Sequence, residues 1–285
     1  MSTKETTKQR LPLLSWLLVP LLLVWIGTNY ILGTLKSPTW SNTSSNQTNG
    51  DVLGADYDQT ISPQTAWKWN GHGVVTLWFD DAWLTQYTNA FPLMVEHNFK
   101  GAVAVPTKSV GFDAYMNWTQ IKRLQYDGWE ISVHSRTHNC DFVNGDKQII
   151  DNEILGSKED LKSHGLSHDI YVAPCGKSSD YSNEVVLKNF VAARNVNRGY
   201  NTLPLQNLFD LKIQAVEKNT TVEEVKTWIE EAKKTNSWLI IMFHQVDNVA
   251  EEYGTTISEF SKILSAVQES KLEVVLPSQV INTAR

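Results

Sequence analysis

Seven short apolar runs, rich in β-branched residues, constrain this chain more than any other feature. They are GVVTLWF (73–79), GAVAVP (101–106), WEISV (129–133), DIYVA (169–173), DLKIQAV (210–216), SWLIIMF (237–243) and LEVVL (272–276). Each has the length and composition of a buried strand. Helix-like stretches lie between them, and the best marked is TVEEVKTWIEEAKK (221–234). There Thr221 and Glu224 can form a capping box, while Val222, Val225, Trp228, Ile229 and Ala232 share one face. Strand–helix alternation predicts a mostly parallel sheet covered on both faces, either an open doubly wound sheet or a barrel. About seven strands over ~220 residues favour an α/β fold built as an incomplete (β/α) barrel of parallel strands. In either architecture a site forms where strands hand over to loops at their C-terminal ends.

A different pattern precedes the alternation. Residues 1–10 carry Lys4, Lys8 and Arg10 against Glu5, and an apolar stretch follows that meets its next charge only at Lys36. The stretch 11–35 has 25 residues, against roughly 20 needed for one helix to cross a bilayer. Positive charge before it keeps residues 1–10 cytoplasmic and places everything after it outside. The segment reads as one N-terminal transmembrane anchor; a cleaved signal peptide is the alternative, although no small-x-small site ends it. Both readings export the rest of the chain. Residues 36–66 read as a stalk, since ten of the thirteen residues in PTWSNTSSNQTNG are Ser, Thr, Asn or Gln. One folded domain is expected over 67–285.

Composition removes several classes. With 25 Lys and Arg against 31 Asp and Glu, the chain has no basic stripe for a phosphate backbone, so no nucleic-acid partner is expected. Two cysteines, Cys140 and Cys175, exclude a disulfide scaffold and a Cys-rich zinc module.

The strand ends carry the chemistry. The first strand ends in Asp80–Asp81, the third in HSRTH (134–138), the fourth in APCG (173–176) and the sixth in His244. Two carboxylates and three histidines thus meet at the expected mouth of one fold. The spacing of His134 and His138 puts two imidazoles on one side of a helical turn. A carboxylate from another strand end completes a two-His, one-carboxylate set with room for water. Asp80 and Asp81 alternate sides, so one can ligate a metal while its neighbour accepts a proton. Adjacent carboxylates suit a glycosidase poorly, because that pair must face each other across the bond. The other histidines, His72, His97, His164 and His168, read as surface or structural.

In this order and spacing, WFDDAW, HSRTH, APCG and IIMFH resemble the motifs of the polysaccharide deacetylases (the NodB-homology, carbohydrate esterase family), from about Val74 to Leu276. The resemblance implies a distorted form of that (β/α) barrel and a metal-dependent hydrolase that removes acetyl groups from N-acetylated sugars of a cell-surface or extracellular polysaccharide, N-acetylglucosamine being the expected unit. It implies Asp81, His134 and His138 as ligands of a divalent metal, usually zinc. It also implies Asp80 as general base, His244 as general acid, and the Pro174–Cys175 turn as the oxyanion contact through the Cys175 N–H. Ser135 would orient the ligand turn, and an acidic neighbour, for which Asp210 is the candidate, would keep His244 charged.

The chain departs from the family pattern in three places. Ala82 and Trp83 stand where Gly-Pro is usual, and the third motif reads Val172-Ala173-Pro174-Cys175-Gly176 without the Arg that would steady the base. Cys175 replaces an aromatic. On the mouth loops, a Cys140–Cys175 bridge and two free thiols are both open, and a thiolate ligand is the lesser alternative. Trp83 is the one aromatic assigned to sugar stacking. An O-acetyl (xylan-type) esterase and a non-catalytic carbohydrate-binding member of the fold are the competing readings.

Overall fold

Successive side chains of an extended strand point to opposite faces, and here both faces of the runs at 74–79, 102–105, 170–172 and 238–243 are buried, which a sheet covered on both sides satisfies. The computed structural model describes residues 67–283. The strands are β1 (Val74–Phe79), β2 (Ala102–Val105), β3 (Glu130–Val133), β4 (Ile170–Val172), β5 (Ala192–Arg198), β6 (Leu211–Ala215), β7 (Trp238–Phe243), β8 (Val246–Asp247), β9 (Thr255–Thr256) and β10 (Glu273–Val274). The α-helices are α1 (Phe91–Glu96), α2 (Trp118–Tyr126), α3 (Lys147–Ser163), α4 (Asp180–Asn189), α5 (Val222–Thr235), α6 (Ile257–Ser270) and α7 (Pro277–Asn282). The segments expected to be a cytoplasmic start, a transmembrane span and a stalk lie outside the described residues. Among the described residues no helix is long and apolar enough to cross a membrane.

Strands β1 to β7 pair in chain order, all parallel, and β7 pairs back onto β1 from Val74↔Trp238 to Phe79↔Phe243. The result is a seven-stranded parallel barrel with flanking helices. One of its irregular seams lies between β1 and β2. These two pair only at Trp78↔Ala102 and Phe79↔Val103, and β10 pairs instead with Val74 and Val75.

Membership of the barrel differs from the expectation in one strand. The run 272–276 contributes only the two-residue β10, whereas β5, with the sequence AARNVNR, was not expected as a strand. Only its first three residues are buried, and its register shifts between Arg194 and Arg198. A strand that is half polar and bulged has no apolar periodicity to read.

Alternation sorts the core into two layers. Val75, Leu77, Phe79, Val103, Val105, Ile131 and Val133 pack with the helices in one cluster. Val74, Trp78, Ala102, Ala104, Trp238, Ile240 and Met242 form the other, which fills the barrel. Small alanines on β2 face the large indoles of Trp78 and Trp238, so the interior is packed rather than hollow. The buried Thr76 hydroxyl accepts from Trp238 Nε1 at 2.9 Å and donates to Val275 O at 2.6 Å, which satisfies its polar group inside that core. Helix α5 has the expected capping box, Thr221 with Glu224, and buries Val225, Ile229 and Ala232.

Candidate active site

The interior-facing series Val74, Thr76, Trp78 continues one step past β1 to Asp80. The same parity carries Ser132 to His134 on β3, Ala192 to Arg194 on β5, and Met242 to His244 after β7. Strand geometry therefore brings four polar side chains to one end of the barrel from four different strands. They line a cavity of ≈ 590 Å³ together with Asp81, Trp83, His138 and Cys175, except Arg194, which lies beneath it.

Asp80 and Asp81 face different partners, as their alternation implied. Asp81 Oδ1 lies 3.3 Å from His134 Nε2 and 3.2 Å from His138 Nε2, and its Oδ2 lies 3.8 Å from His244 Nε2. Trp83 Nε1 donates to Asp81 Oδ2 at 3.0 Å, so this indole holds the carboxylate and also stacks on Tyr115. Asp81 Oδ1 is buried and has no hydrogen-bond partner. His134 Nδ1 faces the carbonyl of Val172 at 2.9 Å. Donating there leaves the Nε2 lone pair directed at Asp81. An orphaned carboxylate oxygen between two imidazole nitrogens fits a cation held by Asp81, His134 and His138, whose ligand atoms all lie within 4.8 Å of one another.

The same contacts govern the titration of the cluster. Burial opposes ionisation of Asp81, but the histidines around it, His134 foremost, outweigh it and hold its pKa well below the usual range. Burial would lower His134, yet the nearby Asp81 and Asp80 carboxylates raise it, so this ring must give up its proton to bind a cation. His138 is lowered, by burial first and by His134 second, which favours the neutral ring that a ligand needs.

His134 and His138 do not share a helical turn, contrary to the spacing argument. Residues 134–138 form an irregular turn in which Ser135 (φ 59°) and His138 (φ 56°) are left-handed. That conformation costs a non-glycine residue energy and persists only where its surroundings impose it. Here they do. Ser135 Oγ accepts from His138 N at 3.1 Å, in keeping with its expected orienting role, and Ser157 Oγ donates to Ser135 O at 2.7 Å. The buried Glu153 accepts from Arg136 N, Thr137 N and the Thr137 hydroxyl. Sequence reasoning missed Glu153, which sits mid-helix with no local signal. Asp81 (φ 76°), Ala82 (φ 56°) and Cys175 (φ 55°) are also left-handed. Five of the eight such non-glycine residues among the described ones thus lie at this rim.

Asp80 is buried and pairs with Arg194 Nη2, whose side chain is fully enclosed and packs on the Trp78 ring at 4.9 Å. The arginine missing from the third motif is therefore replaced by one from the next strand. The available signal was that gap itself: a buried carboxylate without a partner implies a cation from elsewhere. His244 does not have Asp210 beside it. Asp210 accepts from Asn195 and Asn197, His244 Nδ1 is buried without a partner, and the carboxylate nearest His244 is Asp81. Cys140 and Cys175 form a disulfide, which excludes a thiolate ligand. Cys175 lines the cavity, while Pro174 is buried in the turn behind it. Of the remaining histidines, His164 stacks on Trp118 and His97 hydrogen-bonds Gln268, both away from the cavity.

Residues 69–191 match the family model described as polysaccharide deacetylase. Over that segment the chain is similar to the polysaccharide deacetylases. The matched segment contains Asp80, Asp81, His134, His138 and Cys175, but ends before Arg194 and His244. No curated protein matches the chain. Among solved structures, this chain is similar to the Xyl-CE4 domain of a multidomain xylanase from the hindgut metagenome of Trinervitermes trinervoides. That match has a TM-score of 0.55 and 16% identity, over 74% of this chain and 91% of that one. A putative polysaccharide deacetylase from Mycobacterium smegmatis gives 0.55 at 14%, over 76% and 91%. The Bc1960 peptidoglycan N-acetylglucosamine deacetylase gives 0.51 at 14%, over 74% and 88%. At these identities the likeness is one of fold.

Proposed function

We propose that this chain is a zinc-dependent deacetylase that removes N-acetyl groups from N-acetylglucosamine-containing polysaccharide at the cell surface or outside it. The observation that carries the reading is the division of labour between adjacent carboxylates, Asp81 toward two histidines and Asp80 toward a buried arginine. Asp81, His134 and His138 would hold the metal, and a carboxylate with two imidazoles suits zinc. When bound there, a divalent cation polarises the acetyl carbonyl and makes water easier to deprotonate.

Asp80, oriented through Oδ1 by Arg194, takes the proton of the attacking water on its other oxygen. The Cys175 N–H, on a turn tied down by the disulfide, faces the charge that develops on the carbonyl oxygen. His244 Nε2, pointing into the same cavity, gives its proton to the departing sugar nitrogen. Export through the apolar segment 11–35 places the domain outside the cytoplasm, held at the membrane if that segment is retained. A disulfide is at home in that compartment.

The full chain, purified in detergent with zinc, should release acetate from an N-acetylglucosamine oligomer. A chelator should abolish that release, and Asp80→Asn should abolish it with metal still bound. Acetate from acetylated xylan alone would make the protein an O-acetyl esterase. Bound zinc with no acetate from either polymer would favour a non-catalytic binding role.

A further inference from the structure

Gln86 is 1% exposed and opens a π-helical turn, Gln86–Ala90, just after the Asp80–Asp81 corner. Its Nε2 lies 2.5 Å from Asp80 O and 3.0 Å from His244 O. A carboxamide nitrogen carries two hydrogens, so one nitrogen can serve both carbonyls. These carbonyls belong to the residues that leave β1 and β7 side by side. The ladder between those strands ends where Asp80 N donates to Phe243 O at 2.8 Å. Among the described residues no β1–β7 backbone pair follows, and no backbone N–H is shared by the two carbonyls.

Asn89, three residues on, repeats the device by donating from Nδ2 to Val246 O at 2.8 Å. The carbonyls of His244 and Val246 are two residues apart, the repeat of one edge of an extended strand. The turn 86–90 thus offers two side-chain amides where a neighbouring strand would offer backbone N–H groups. Gln86 Oε1 is buried without a partner. An amide kept in the interior with its acceptor unused is there for its donor end.

We propose that Gln86 is a positioning residue that clamps the rim ends of β1 and β7 and so sets the separation of Asp80 and His244. The inference rests on the reading of those two residues as base and acid. Base and acid must both reach one acetyl group, and a misplacement of about 1 Å in such a pair can cost ~100-fold in rate.

The test is Gln86→Met, which keeps the volume and removes both donors, in the full chain with Asp80→Asn as reference. The variant should lose at least about tenfold in kcat, with KM and zinc affinity by calorimetry within about twofold of the parent. Amide exchange at Asp80 should accelerate, while exchange at Thr76 and Leu77 in mid-strand stays unchanged. Unchanged kcat in a folded Gln86→Met protein would overturn the proposal, whether or not exchange changes. A kcat loss that tracks lost zinc would overturn it as well. Activity surviving in Asp80→Asn would instead sink the assignment of the base. If the parent releases no acetate from any polymer, the deacetylase reading fails; unchanged exchange at Asp80 would then also refute the clamp.

Discussion

At the scale of single residues, the buried pair of Asp80 and Arg194 is the most exposed to failure. Removing one partner of such a pair leaves an uncompensated charge in a low-dielectric interior, which costs about 3–5 kcal/mol. Arg194→Met should therefore lower the melting temperature sharply and abolish acetate release. Adding Asp80→Asn to it should restore part of the stability and none of the activity, which thermal melts and acetate assays on the three variants would check. Glu130 is the other isolated carboxyl of note. Burial pushes it up to about 7, against the opposing pull of the Ser278 N–H that it accepts at 3.0 Å. Between the ordinary carboxylate range and about 7, the folded chain keeps a proton that the unfolded chain has released, so stability falls as pH rises through that window. Gln keeps the acceptor and removes the ionisation. The gain in melting temperature of Glu130→Gln should be larger at pH 8 than at pH 5.

At the scale of elements, the rim turns are strained and the neighbouring elements bear the strain. Helix α3 presents Glu153, Gly156, Ser157 and Asp160 to the turn 134–138, the first three of them within one turn of each other. Glu153 and Ser157 bond its backbone, and Asp160 accepts from Arg136 Nε and Nη2. A Cβ at Gly156 would stand 2.7 Å from Arg136 Nε and would displace the guanidinium that bonds Asp160. Glu153→Ala touches no metal ligand, yet by releasing the backbone of Arg136 and Thr137 it should weaken zinc binding by about 10–100-fold. Calorimetric titration would measure that directly. The disulfide joins the turn after β3 to the turn after β4 across 35 residues. Closing a loop of that length restricts the unfolded chain by about 4 kcal/mol. A dithiol reductant, or the pair Cys140→Ser and Cys175→Ser, should lower the melting temperature and reduce kcat more than zinc affinity, since Cys175 carries the proposed oxyanion contact and no ligand.

At the scale of the whole molecule, closure of the barrel is what turns scattered strand ends into one cavity, because it sets β1 and β7 side by side although their sequences lie far apart. The full chain should sediment with membranes and resist an alkaline carbonate wash if the segment 11–35 is a retained anchor; recovery in the wash would mean that it is cleaved or peripheral.

Much of this was legible in the linear pattern. Apolar β-branched runs announce buried strands because both faces of a parallel sheet are dry, and the polar residues that end those runs stand out against them. Asp80, Asp81, His134, His138 and His244 were legible for that reason. Strand β5 was not, because it is bulged and half polar. Neither Arg194 nor Gln86 could be assigned from its neighbours, since each acts on a residue remote in the chain: Arg194 on Asp80, 114 positions away, and Gln86 on His244, 158 away. Trp83, expected to stack on sugar, lines the cavity and also donates to Asp81, a contact set by a left-handed corner that composition does not encode. The sequence by itself determined the alternation of strand and helix, and which polar side chains stand at the strand ends, because both are local consequences of burial and of the two-residue strand period. Only the tertiary structure decided which buried charge answers Asp80, what holds the histidine turn, and how far apart the two ends of the closed ladder lie. Those depend on contacts between segments that the chain brings together only when the barrel closes.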